Sequence, residues 1–249
     1  MNSHERGGQI DHAVRLADFV RDLPDFRMYT TLGDPYGHIG ATVADAILQA
    51  NRRYVAFVRP RVQRILREYP SARTTTAVRL LLSETGTTTF LGVRDTARAV
   101  RVEQVLAMFA AEAIETEADL REWLVERNGG VRLQTIRGIG PKTADYFKIL
   151  VGLPASAIDM HLRAFLALAG ITAASYQAAQ TVVDGAADVL GVDRALFDHS
   201  IWQYMSQRAE ETRRRKHRGR QRDVRCGDAL IDMSVTASRI SAGHGSRHR

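Results

Sequence analysis

Apolar residues recur three and four positions apart through most of the chain, the spacing of one face of a helix. Val43, Ala46, Ile47 and Ala50 follow it, and Val62, Ile65 and Leu66 resume it after Pro60, a residue suited to the first turn of a new helix. Thr74 to Thr76 can cap the segment bearing Val78, Leu81 and Leu82. Further helical stretches carry Ala97, Val100 and Val105, then Leu120, Trp123 and Leu124, then Leu162, Phe165, Leu166 and Ala169 with Gly170 placed to end the last of them. Only Thr87 to Phe90 suggests a strand, short and isolated, and residues 27–40 read as a loop rich in glycine and proline. Without alternation of strand and helix a doubly wound sheet is excluded, so the expected fold class is all-α.

Composition narrows the function classes. The single cysteine, Cys226, leaves no disulfide framework, four-cysteine zinc site or iron–sulfur cluster. No apolar run approaches the roughly 20 residues that span a bilayer. The polar start, residues 1–12, lacks a signal-peptide core, so the expectation is a cytoplasmic protein with no membrane partner. The net charge of +7 is unevenly placed. Residues 213–249 hold eleven Lys and Arg against three Asp and Glu, whereas residues 1–212 hold 24 against 25. The block from Arg213 to Arg222 repels itself, and residues 213–249 are expected to be a disordered basic tail able to bind phosphates nonspecifically. Lysine is scarce, occurring only at 142, 148 and 216.

One of those lysines sits in the most informative stretch. Leu133 and Ile136 end a short helix, Gly138-Ile139-Gly140 forms a tight turn, and Pro141 opens a second helix that buries Ala144, Phe147 and Val151 before Gly152 stops it. Glycines in such a turn leave backbone amides uncovered. With the positive end of the second helix, they make a site for a phosphate. Taken alone, the turn is an ordinary helix–helix connection. Lys142 lies in the first turn of that helix, where the dipole and partial burial disfavour its charged form and leave a nucleophilic amine. Asp159 follows seventeen residues later and, taken alone, is a helix cap. An amine and a carboxylate in one cleft beside a phosphate-holding turn are what cleavage of an N-glycosidic bond requires.

Three segments, Ile136-Arg137-Gly138-Ile139-Gly140-Pro141-Lys142-Thr143-Ala144, then Gly152-Leu153-Pro154, then Ile158-Asp159-Met160-His161, resemble the helix-hairpin-helix–GPD superfamily of DNA glycosylases, in its bifunctional branch. The motif covers about 30 residues, and a weaker resemblance extends over most of residues 40–205. The resemblance implies two helical lobes with a cleft between them. One is a six-helix barrel over residues 40–152, ending in the helix-hairpin-helix at about 133–152. The other joins residues 1–39 to 153–212. It also implies a partner, double-stranded DNA carrying a damaged or modified base, and a monomer that flips that base out of the stack. Lys142 and Asp159 are then catalytic. Gly138, Ile139, Gly140 and Thr143 contact the backbone, and Gln49 or Asn51 fills the vacated gap. No cofactor is required, although family hairpins often hold a monovalent cation. Members resembling endonuclease III carry four cysteines for a cluster that this chain cannot hold, which leaves cluster-free branches such as the 8-oxoguanine glycosylases.

Other residues are read more plainly. Trp202 and Tyr204 suit core packing or base stacking, and Asp198 and His199, being adjacent on a helix, do not face each other. His161 is a local hydrogen-bonding residue, Tyr36 and His38 belong to the 27–40 loop, and Lys148 is a surface charge. Two alternatives stay open. One is a monofunctional glycosylase in which Asp159 activates water; the other is a noncatalytic DNA-binding module.

Overall fold

The computed structural model describes residues 3–50 and 52–213, so Asn51 and the basic tail beyond Arg213 lie outside the described residues. Among the described residues every regular element is helical. The order is α1 (Ser3–Asp22), α2 (Ile39–Leu48), a π-helical turn (Tyr54–Val58), α3 (Arg59–Glu68), α4 (Thr75–Thr85) and α5 (Thr87–Leu91). Then come α6 (Thr96–Ala111), α7 (Glu117–Glu126), α8 (Gly129–Leu133), α9 (Pro141–Leu150), α10 (Met160–Leu168) and α11 (Tyr176–Leu190). The chain divides into two compact units, Met1–Trp202 and Gln203–Arg249. In the first, residues 194–202 form a closing helix after α11. In the second, residues 203–213 are helical, and Arg208 donates to the Tyr204 hydroxyl at 3.0 Å while lying over its ring.

In the first unit α2 is the axis of a core drawn from residues 39–151, and all ten of its residues are buried. Val62 and Ile65 of α3, Val78 of α4, Val102, Val105 and Phe109 of α6, and Phe147 of α9 surround it. Burying several such side chains, each worth about 1.5–3 kcal/mol, stabilises the arrangement far more than helix propensity does. The helix starts are those that short polar side chains dictate: Thr74, Asp95, Thr116 and Ser175 each accept an amide of the first turn.

Two expectations change. Thr87–Phe90 is not a strand but most of α5, a single turn bracketed by Gly86 and Gly92 and anchored where the Thr87 hydroxyl meets Glu103. The 27–40 loop ends early, because buried His38 caps α2: its Nδ1 accepts the Ala41 amide at 3.2 Å and its Nε2 donates to the Tyr69 carbonyl at 3.0 Å. Both nitrogens are committed and burial lowers the ring's proton affinity, so His38 is a structural neutral imidazole. At the start of the chain, α1 packs along α11 through Ala13, Leu16, Ala17 and Val20.

Candidate active site

The glycine turn folds as its residues require. Ile139 donates its amide to the Ile136 carbonyl at 3.0 Å, closing a turn whose third residue, Gly138, has φ +91°. That φ strains any other residue at Gly138, and an added Cβ would also require the Arg101 guanidinium to shift. Arg101 is itself tied to the turn, donating Nε to the Arg137 carbonyl at 3.1 Å. Gly140 is the extended N-cap of α9 and, having no side chain, leaves the first amides of that helix uncovered; Pro141 follows at the first helical position. The turn thus presents free N–H groups, a helix N-terminus and one guanidinium that the sequence pattern did not reveal. Ile139 itself is buried in the core, and Thr143 is half-buried within the first turn of α9.

Lys142, the second residue of α9, points to the end of α2. Its Nζ donates to Gln49 Oε1 at 2.6 Å and lies 5.4 Å from the centroid of the Tyr146 ring. Burial pushes the amine below the ordinary lysine range, opposed in order by the charges of Asp159, Asp198 and Asp45. The helix dipole acts in the same direction as burial. Asp159 caps α10, with Oδ1 accepting the amides of His161 at 2.7 Å and Leu162 at 3.0 Å. The cap reading and the proximity to Lys142 therefore hold together at one residue.

Two further carboxylates were not legible as site residues. Asp198 of the closing helix accepts the Ala157 amide at 2.8 Å, and burial, with the charge of Asp159 adding to it, pushes its pKa up to about 8. Its charge couples to those of Lys142 and Asp159. Asp45 of α2 is wholly buried and accepts three tyrosine hydroxyls: Tyr36 at 2.6 Å, Tyr54 at 3.0 Å and Tyr146 at 3.2 Å. Its pKa is raised by burial against the lowering effect of those donors. Tyr36 thus belongs to the site's wall, through a partner that only the fold supplies. Trp202 is half-buried, edge-on to Tyr54 and His161 with centroids 6.1 and 6.2 Å away, and stacked on His199 at 6.3 Å.

The segment leading to Asp159 is held at consecutive residues. Gln180 donates to the Ser156 carbonyl at 2.9 Å, Asp198 takes the Ala157 amide, and the Tyr176 hydroxyl accepts the Ile158 amide at 3.2 Å. Tyr176 and Gln180 both also donate to Asp145 Oδ2, at 2.8 and 2.9 Å, three residues beyond Lys142 on α9. Lys148 completes this network with a 2.8 Å ion pair to Asp145, so it is a buried-network partner and not a free surface charge.

Beside the core, Arg52, Arg61 and Arg94 line an open groove with Phe57, and the Arg61 guanidinium lies 3.8 Å from the centre of that ring. Among the described residues no group of three His, Cys, Asp or Glu side chains is placed to hold a metal ion, and no helix is long and apolar enough to cross a membrane. Comparison with the curated proteins finds no match. A family model described as a domain of unknown function, DUF8548, matches residues 28–206, a span that contains every site residue named above. The chain belongs to this DUF8548 family.

Proposed function

We propose that the protein is a DNA base-excision glycosylase with abasic-site lyase activity. One observation carries the reading: a half-buried amine with lowered proton affinity, Lys142, stands at the mouth of a phosphate-ready turn and within the field of Asp159. The reading includes two helical lobes, residues 40–152 and residues 1–39 with 153–212, meeting at the cleft. The near-neutral body would draw DNA through local positive groups, Arg101 at the turn and the Arg52, Arg61 and Arg94 groove, with the tail adding nonspecific attraction.

In this mechanism the flipped nucleotide enters beside Tyr54 and Trp202. The free amides of Gly138 and Gly140 hold a flanking phosphate, and Thr143 lies within the first turn behind them. The neutral Lys142 amine attacks C1′, the N-glycosidic bond breaks, and the base leaves with the bonding pair. Asp159 takes the proton lost by the amine and stabilises positive charge on the sugar. Only Oδ1 of Asp159 is engaged by the cap, which leaves Oδ2 for that task. Opening of the sugar ring gives a Schiff base, and loss of a C2′ proton then expels the 3′ phosphate. Asn51 remains the candidate to fill the gap in the stack, and a monovalent cation at the turn remains part of the family expectation.

The test is strand nicking of an abasic duplex by Lys142→Gln. The expected result is loss of nicking at unchanged melting temperature, and unchanged nicking would overturn the reading. The free Oδ2 also suits activation of water. Base release that survives Lys142→Gln, with no covalent intermediate in the parent, would establish that monofunctional route.

A further inference from the structure

Among the described residues Lys142 has one side-chain hydrogen-bond partner, and it is uncharged. The bond from Nζ to Gln49 Oε1 joins residues 93 positions apart in sequence. An ammonium group only donates, so the amide must present its oxygen to Lys142 and turn its nitrogen away. There Gln49 Nε2 is buried with no hydrogen-bond partner among the described residues. A buried, unsatisfied amide donor in a well-packed fold calls for an acceptor. The backbone of Gln49 is fixed at the end of α2, its N–H donating to the Asp45 carbonyl at 3.3 Å, and its side-chain oxygen is held by Lys142.

We propose that Gln49 is a positioning residue that orients the Lys142 amine and offers its second amide hydrogen to an acceptor on the bound nucleotide, a carbonyl or ring heteroatom of the flipped unit. The nucleotide part rests on the glycosylase reading; the pairing with Lys142 does not. A hydrogen bond from one N–H of the amine fixes where its lone pair points, which is what attack at a single carbon needs. The neutrality of the partner matters equally. Asp45 from α2, Asp159 at the start of α10 and Asp198 from the closing helix already favour the ammonium form, while Tyr146 on α9 presents its ring. A further carboxylate at 2.6 Å would hold the amine protonated and remove its lone pair. Gln49 therefore serves the nucleophile, a different task from filling the gap in the base stack.

The scarcity of lysine makes this measurable without DNA. Acetylation of Lys142, Lys148 and Lys216 is resolved peptide by peptide, so the labelling midpoint of each amine can be followed against pH. Gln49→Glu, of equal size, is expected to raise the Lys142 midpoint by about one pH unit and to leave Lys216 unmoved. Gln49→Leu is expected to lower borohydride trapping on an abasic duplex about tenfold at saturating DNA. A Lys142 midpoint unmoved by Gln49→Glu, together with parental trapping by Gln49→Leu, overturns the proposal. If the parent forms no adduct but the midpoint still shifts, the pairing stands, while the glycosylase reading and the nucleotide contact both fall.

Discussion

Lys142 hangs from one hydrogen bond to Gln49, whereas the segment leading to Asp159 is gripped at three successive residues by Gln180, Asp198 and Tyr176. The difference matches the two kinds of work that the proposed mechanism assigns to them. A nucleophile must travel to form a bond, so a single exchangeable contact suits it. A carboxylate that stabilises developing charge acts best when fixed beforehand, because reorganising it would consume the stabilisation it offers. Asp145 links the two regimes: it lies on α9 with Lys142 and accepts from both Tyr176 and Gln180. The approach to the carboxylate is held at several points where the amine has one hydrogen bond among the described residues, and both are referenced to one helix.

The largest effect that can break this comparison is at the fixed end. Asparagine caps a helix as well as aspartate does, so Asp159→Asn should leave stability nearly unchanged. It should still lower single-turnover base release about 10²- to 10⁴-fold. A loss below threefold would reduce Asp159 to its cap.

Tyr176→Phe removes the acceptor for the Ile158 amide and a donor to Asp145 at one stroke. Urea unfolding should show a loss of about 1–3 kcal/mol. Single-turnover rate should fall by roughly tenfold as Asp159 loosens. Lower stability with an intact rate would mean that the clamp is scaffolding alone.

A smaller change sharpens the hairpin side. Gly138→Ala forces a side chain onto φ +91° and against Arg101, and should cost about 1–2 kcal/mol. Affinity for duplex DNA should weaken with it. Parental stability and affinity in this variant would show that the turn adapts, and that its amides are not a preset phosphate site.

A further effect concerns pH. Asp198 has a folded pKa pushed up to about 8, above the ordinary carboxylate range of the unfolded chain. The folded state therefore keeps a proton that the unfolded state has released. Its stabilising share is full below the ordinary carboxylate range and is lost as pH rises toward 8. Asp198→Asn should flatten the decline in melting temperature between pH 5 and pH 8. Some slope should remain, because Asp45 and Asp184 are also raised. An unchanged slope would remove Asp198 from the titration.

What the sequence disclosed, and what it withheld, divides along the same physical line. Local rules wrote the turn at Gly138 to Gly140, the start of α9 at Pro141 and the cap at Asp159, because each depends on a few neighbouring residues. Thr87 to Phe90 misled because β-branched threonines favour strands, while the flanking Gly86 and Gly92 and the bond to Glu103 close a single helical turn. The face of α1 was present as Ala13, Leu16, Ala17 and Val20, a helical spacing masked by the polar residues around it. Asp45 and Asp198 were hidden for a different reason. A carboxylate becomes a site residue through burial and partners, and those partners come from distant segments: Tyr36, Tyr54 and Tyr146 for one, Ala157 for the other. Gln49 was named through the family resemblance, as a residue to fill the gap in the stack, but its bond to Lys142 required the packing of α2 against α9.

The central claim is that Lys142 is a nucleophilic amine acting on the sugar of DNA. Borohydride trapping on a duplex with one abasic site tests it most directly, because abasic DNA bypasses the identity of the excised base. The account predicts a covalent adduct with the parent and none with Lys142→Gln at equal DNA binding. Tight binding by the parent without an adduct, or an adduct that survives Lys142→Gln, would contradict it.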